Sequence, residues 1–192
     1  MKILQFFPVL LLSIILLQAN AQTEIPKGFK KGTIVLADNT SQSGYIKDNI
    51  RSNASVTLVN ETGGDKKSYN GADLNSAEID GTKFLCINGD FFKVISQGEL
   101  CFLQKASDAS GKVSYNGNEA IFSNGTEGKP NDYFIYNGKN KELKLVSKKN
   151  FDEVVAKTFA GNTAAIDKAK TANGDVAQLK DAVDVYNNRS NK

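Results

Sequence analysis

Residues 83–105, KFLCINGDFFKVISQGELCFLQK, decide the fold. Three short apolar runs, Phe84 to Ile87, Phe91 to Ile95 and Leu100 to Leu103, are separated by Asn88-Gly89 and by Gln97-Gly98. Asn and Gly tolerate the positive φ angles of a tight turn, so the stretch reads as a three-stranded antiparallel meander. With two-residue turns, cross-strand neighbours share a face and faces alternate along each strand. One face then carries Leu85, Phe92, Val94, Cys101 and Leu103. The other carries Phe84, Cys86, Phe91, Ile95, Leu100 and Phe102, relieved mainly by Lys93 and Gln104. Both faces are apolar, which an exposed sheet does not tolerate. The meander is therefore expected to be covered by strands on one side and by the C-terminal helices on the other.

Upstream, Thr33 to Leu36 and Gly44 to Lys47 read as a hairpin with a longer loop, and Ala54 to Val59 alternates with period two. Ser68-Tyr69 is a short strand, and Ala77-Glu78-Ile79 suits an edge strand. Downstream, Val113 to Tyr115 and Ala120 to Phe122 flank Asn116-Gly117, while residues 123–131 form a polar loop. Tyr133 to Tyr136 and Glu142 to Val146 pair around Asn137-Gly138. From Ser147 the period becomes helical. Phe151, Val154, Val155 and Phe159 share a face, with Asn150 as cap; residues 163–171 are Ala-rich. After Asn173-Gly174, Asp175 caps a last helix in which Val176, Leu179, Val183 and Tyr186 recur as a docking stripe.

Strands first and helices last indicate an α+β fold. The expected architecture is an antiparallel, twisted or barrel-like sheet over residues 31–146, with two or three helices over 150–186 packed on it as one domain. Residues 22–30 are a leader and 187–192 a frayed tail. Before them, Met1-Lys2, the apolar run Ile3 to Leu17 and Ala19-Asn20-Ala21 make residues 1–21 a signal peptide, cleaved before Gln22. No second apolar span follows, so the expectation is an exported protein without a transmembrane span, whether periplasmic, outer-membrane-associated or secreted.

Export makes a disulfide the first suspicion for the two cysteines, but the register separates them. Cys86 and Cys101 fall on opposite faces and two strands apart, about 10 Å, against roughly 4.4–6.8 Å for bridged Cα atoms. Two free buried thiols are expected.

The 24 basic and 21 acidic residues are scattered, and Arg51 and Arg189 are the sole arginines. That describes a solvated surface and excludes nucleic acid as a partner. The chain has no histidine, which removes most catalytic triads, the common zinc sites and the usual proton shuttle. No phosphate-loop, dinucleotide or nucleophile-elbow pattern occurs. Asp65, Asp73, Glu78, Asp80 and Asp90 could in principle supply a two-carboxylate glycoside hydrolase, but most of them adjoin Gly or Asn, and they read as turn residues. Asn116-Gly117-Asn118-Glu119 reads as a hairpin tip rather than a calcium loop. Ser147-Lys148 reads as a turn before a helix rather than a nucleophile pair. No catalytic residue, cofactor or metal ligand is assigned. Tyr115, Tyr133 and Tyr136 form a weak candidate surface for a ligand or partner; the competing reading turns Phe134 and Tyr136 into the core.

Taken together, Gly32-Thr33-Ile34-Val35-Leu36, Gly44-Tyr45-Ile46, Phe91-Phe92-Lys93-Val94 and the closing Tyr186-Asn187 make the mature chain resemble a family of uncharacterised exported proteins of Bacteroidetes. The resemblance implies export and one domain, and it brings no activity, cofactor or catalytic residue. Many members carry Cys near the chain end, where Asn187-Asn188 stand here, which further lowers the expectation of a disulfide. The functional expectation is a non-enzymatic envelope or secreted protein, a binding or structural module whose partner is an envelope protein or a glycan. The alternatives are a carboxylate-only glycan hydrolase and a module holding a small apolar ligand inside the rolled sheet.

Overall fold

The computed structural model describes residues 25–60, 64–111, 113–116, 119–122 and 125–190. Residues 1–21, expected to be a signal peptide, lie outside them, as do Gly117 and Asn118 of the calcium-loop reading. The strands are β1 (Phe29–Leu36), β2 (Ser41–Asn49), β3 (Ser55–Val59), β4 (Lys67–Asn70), β5 (Leu74–Ile79), β6 (Thr82–Ile87), β7 (Asp90–Ser96), β8 (Leu100–Lys105), β9 (Val113–Asn116), β10 (Glu119–Phe122), β11 (Tyr133–Asn137) and β12 (Glu142–Val146). A short α1 (Ile50–Asn53) joins β2 to β3. At the end of the chain stand α2 (Phe151–Thr158), α3 (Thr163–Thr171), a 3-10 turn at Val176–Gln178, and α4 (Leu179–Ser190). Ten strands form one open antiparallel sheet in the order β12-β11-β8-β7-β6-β5-β1-β2-β3-β4, and β9 and β10 make a separate ribbon. The fold is α+β.

The meander occupies the middle of the sheet, and its two faces divide as the alternation predicts. Phe84, Cys86 and Phe91 join one buried cluster and Leu100 and Phe102 another on the same side. Leu85, Phe92, Val94, Cys101 and Leu103 lie together on the other side. The second turn differs from expectation. It is a three-residue loop, Gln97-Gly98-Glu99, with a bulge between Val94 and Ser96, so Val94 pairs with Leu103 rather than with Cys101. The shift is two residues, which preserves every face assignment. Ala77-Glu78-Ile79 is not at an edge. It belongs to β5, which lies between β6 and β1 because β1 reaches over to pair it, Thr33 with Glu78 and Ile34 with Ala77. The leader is also shorter than expected, since Phe29 already pairs with Lys47.

The covering of the meander is the main correction. Strands do not take one side and helices the other; both act on the inner face, and Lys93 and Gln104 mark the seam between them. From β7 to β4 the sheet rolls upon itself. Gly32 and Gly44 stand opposite one another. A Cβ on Gly32 would lie 2.3 Å from the Glu78 carbonyl, and one on Gly44 2.2 Å from that of Val59. Only glycine lets the chain coil so tightly there. The roll ends in a single bridge, Gly71 to Gly89, and Tyr69 donates its hydroxyl across the inside to Gln42. Ile34, Ile46, Val56 and Phe91 fill that inside with no exposed surface. Ile50 of α1 packs into the same cluster, with Asp48 Oδ1 accepting from its backbone N–H.

Beyond the seam the helices cover Leu100, Phe102, Ile135 and Val146. Phe102 stacks on Tyr133 with ring centroids 5.3 Å apart. The Val176, Leu179, Val183, Tyr186 stripe docks here as expected. Leu179 and Val183 are fully buried, worth about 1.5–3 kcal/mol each. Ala165 and Ala169 of α3 and Ala182 of α4 are buried in the same cluster, small side chains that let helices approach closely. Two caps depart from the sequence reading. Asn150 does not cap α2; its Oδ1 accepts from Ser147 instead, and its Nδ2 donates to the Leu145 carbonyl. Asp175 caps the 3-10 turn.

The expected frayed tail is also corrected: α4 continues to Ser190, and Asn187 is buried. Its Oδ1 accepts from Leu100 N and its Nδ2 donates to Leu100 O, at 3.0 and 2.9 Å. The side-chain amide thus serves as a strand partner beside the β7 bulge. One turn earlier, Ser96 donates to Asp184, which Lys180 also meets.

Two measurements check this arrangement. Cys86 and Cys101 are free thiols, and burial pushes the Cys86 thiol pKa up. The intact protein should resist thiol labelling at Cys86, and the unfolded protein should take up label at both cysteines with no prior reduction, read by mass. For Asp184, burial pushes the carboxyl pKa up, but hydrogen bonds from Lys180 and Ser96 outweigh that and hold it below its usual value. A carboxyl lowered on folding stabilises above its unfolded pKa, about 3.9, and loses that contribution as pH falls through the folded value. The melting temperature of the natural protein should therefore approach that of Asp184→Asn only below about pH 4.

Candidate functional site

The residues flagged by sequence do not converge. Tyr133 and Tyr136 sit three apart on β11 and so face opposite ways: Tyr133 joins the helix-covered core, and Tyr136 the outer cluster with Leu143 and Leu145. Tyr115 lies on the separate ribbon, and its side chain is outside the described residues. Phe134 is fully buried, edge-on to Phe92 at 5.1 Å. The carboxylates are likewise dispersed. Asp73 accepts from Asn70 N, Asp80 pairs with Lys30 at 2.7 Å, and Asp65 is exposed. Ser147 is a turn residue bonded to Asn150. No group of three or more His, Cys, Asp or Glu able to hold a metal occurs among the described residues, and none of their helices is long and apolar enough to cross a membrane.

Two of the carboxylates depart from the turn reading: Glu78, which lies within β5, and Asp90. Asp90 is the buried one. It stands at the start of β7 on the outer face, directly before Phe91, with no exposure, 3.2 Å from the equally buried Lys105 at the end of β8. Its Oδ1 accepts from Ser107 Oγ and Ala109 N, and its Oδ2 from the N–H and hydroxyl of Thr126. Lys105 donates to the carbonyls of Thr126, Glu127 and Gly128. Ser107 Oγ in turn accepts from Phe91 N. Every polar atom of the pair is committed, and none is left to bind substrate. The network instead fastens the segment after β8 across the outer face, where a Cβ on Gly128 would lie 3.1 Å from Phe134 and 3.3 Å from Leu145. In sequence the pair was hidden, because Asp90 follows Asn88-Gly89. The signal that could have found it is the alternation Cys101, Leu103, Lys105, which places a lysine in line with the apolar side chains of one face.

The rest of the outer face is only partly covered. Leu85, Ile87, Val94, Tyr136, Leu143 and Leu145 are half-buried around Phe92, Cys101, Leu103 and Phe134. At its margin the register lines up Ser43, Thr33, Glu78 and Lys83 across four strands. Beside that row run Val35, Ser76, Leu85 and Phe92. The side chains of Thr33 and Ser76 are short where Lys83 and Leu85 are long, and the sheet carries a groove of about 240 Å³ with Gln97 at its rim. Glu78 and Lys83 are opposite one another and exposed, and among the described residues neither side chain is engaged in an ion pair or hydrogen bond. The sequence could not show this row, since it needs the non-local pairing of β1 with β5.

A second groove, about 200 Å³, lies between the β11–β12 turn and the helices, lined by Asn137, Asn140, Glu142, Lys144 and Lys157 among others. Its polar groups are largely committed to each other or to neighbours: Asn140 and Lys144 meet Glu142, Asn137 caps the turn at Lys139, and Lys157 pairs with Glu153. The outer-face groove is the better candidate.

Replacing Lys105 with Met should leave the Asp90 charge buried without its cation. The expected loss is about 3–5 kcal/mol in denaturant unfolding, and the double change with Asp90→Asn should cost less than the two singles added.

Compared with protein-family models, curated proteins and solved structures, the chain matches none, so its role has to be argued from the geometry above.

Proposed function

We propose that the protein is an exported, non-enzymatic binding module that meets its partner through the outer face of the sheet. Export rests on the basic start, apolar run and small-x-small site of residues 1–21. The observation that carries the binding reading is the continuity of half-buried apolar side chains, Leu85, Val94, Tyr136 and Leu143 among them, with a groove whose two charged groups are unengaged. Such a surface suits recognition. Hydrolysis by carboxylates needs two of them across the scissile bond. Among the described residues, Glu78 is the sole carboxylate lining the outer groove and Glu142 the sole one lining the second, which supports binding over glycan cleavage. An apolar ligand inside the roll is disfavoured because Ile34, Ile46, Val56 and Phe91 already fill that space.

The test is capture from an envelope extract by the tagged mature protein, beside a glycan array, with Val94→Lys as the comparison. The natural protein should retain a partner or glycan that the variant loses while its melting curve stays close to the original. Silence in both assays, or capture indifferent to Val94, would remove the outer face from consideration.

A further inference from the structure

The groove on the outer face distinguishes between the two partner classes, a glycan and a protein. Sugar recognition on a sheet relies on an aromatic ring presented flat to the ligand. Among the described residues Phe84 is the only aromatic one lining the groove; it belongs to the inner cluster and is 8 % exposed. The rest of the lining is aliphatic, hydroxylic, amide and charged. At about 240 Å³ the groove is also below the roughly 300–1,000 Å³ of sites that enclose a cofactor or drug-sized molecule. It fits a few side chains of a longer chain.

Resting on the outer-face reading, we propose that the groove takes an extended peptide segment of a protein partner, with a basic, an acidic and an apolar side chain in that order on one face. Glu78, Lys83 and Val94 line the groove, from β5, β6 and β7 in turn. Neighbouring strands are about 4.8 Å apart, and same-face side chains of an extended peptide recur about every 6.8 Å. Long side chains bridge that difference. A peptide crossing the strands sets its basic group on Glu78, its acidic group on Lys83, and its apolar group on Val94 and Leu85. Ser76 offers a hydroxyl to its backbone, beside the Thr33 hydroxyl that is bonded to Ser43 Oγ at 2.9 Å. Glu78 and Lys83 are not engaged with one another, so the ligand need not displace an existing ion pair. Charge order then becomes the recognised feature.

The probes are two capped pentapeptides, Lys-Ser-Asp-Ser-Leu and the order-swapped Asp-Ser-Lys-Ser-Leu, titrated into the mature protein and followed by backbone amide NMR. The first should shift the amides of Ser76, Lys83, Leu85 and Val94, and bind more tightly than the second. Glu78→Gln and Lys83→Met should each weaken it about two- to fivefold, as expected for exposed ion pairs. The double variant Glu78→Lys with Lys83→Glu should reverse the preference between the peptides. No shifts at millimolar peptide, equal binding of both orders, or shifts confined to another surface would overturn the proposal. If peptides fail while Val94→Lys still abolishes capture of a glycan, the peptide class falls and the outer-face reading survives. If neither assay depends on Val94, both fall.

Discussion

The pairing of Asp90 with Lys105 is the constraint on which the rest of the outer face depends. Taking two charges out of water costs several kcal/mol for each, and mutual attraction offsets that only when the remaining donors and acceptors are also satisfied. Here the satisfying groups come from Ser107, Ala109 and residues 126–128, so neutralising the pair and laying the strap across the sheet are one event. Phe134 owes its lack of exposed surface in part to that strap, since Gly128 packs directly against it. The network is committed to architecture, and it sets the boundary between the covered and open parts of the face.

The two faces of the sheet consequently do different jobs. The inner face is closed twice, by its own curvature around Ile34, Ile46 and Phe91 and by the helices over Phe102 and Ile135. Among the described residues the opening on that side is the small groove at the β11–β12 turn, whose polar groups are largely committed to one another. The outer face carries one strap and is otherwise half-exposed, apolar near Tyr136 and Leu143 and polar along Thr33, Glu78 and Lys83. A graded surface of this kind joins an apolar centre to a charged rim, the usual layout of a recognition surface.

The parts of this fold that sequence alone could resolve are those fixed by local periodicity. The face assignments of Phe84 through Leu103 were readable because a two-residue slip leaves alternation intact, so even a misjudged loop at Gln97-Gly98 did no harm. The helical stripe through Leu179 and Val183 was readable for the same reason at period 3.6. What stayed hidden required knowledge of partners distant in the chain. Ala77 to Ile79 looked peripheral because its neighbour β1 lies some forty residues upstream. Asp90 looked like a turn residue because its four partner residues, Lys105, Ser107, Ala109 and Thr126, arrive later. Tyr133 and Tyr136 looked like a common surface, although their odd spacing on one strand already separates them. The row through Glu78 and Lys83 is the same case: each residue alone is an ordinary exposed charge, and only the register assembles them.

The amide of Asn187 has a consequence for how the chain is made. Its two bonds to Leu100 span 87 residues and complete the sheet beside a bulge that β7 leaves open. A polypeptide grows from its N-terminus, and structure accumulates in that order. The roll can close once the turn at Gly89 is free, since its single bridge reaches back to Gly71. The bulge has no such early option. Leu100 keeps an unmet donor and acceptor until Asn187 has been delivered, and Leu100, Phe102 and Ile135 wait uncovered for the same helices. Assembly is therefore ordered, with the roll able to close first and the second half held open until α4 arrives. A chain cut just before Asn187 would possess every strand and still be unable to finish the sheet.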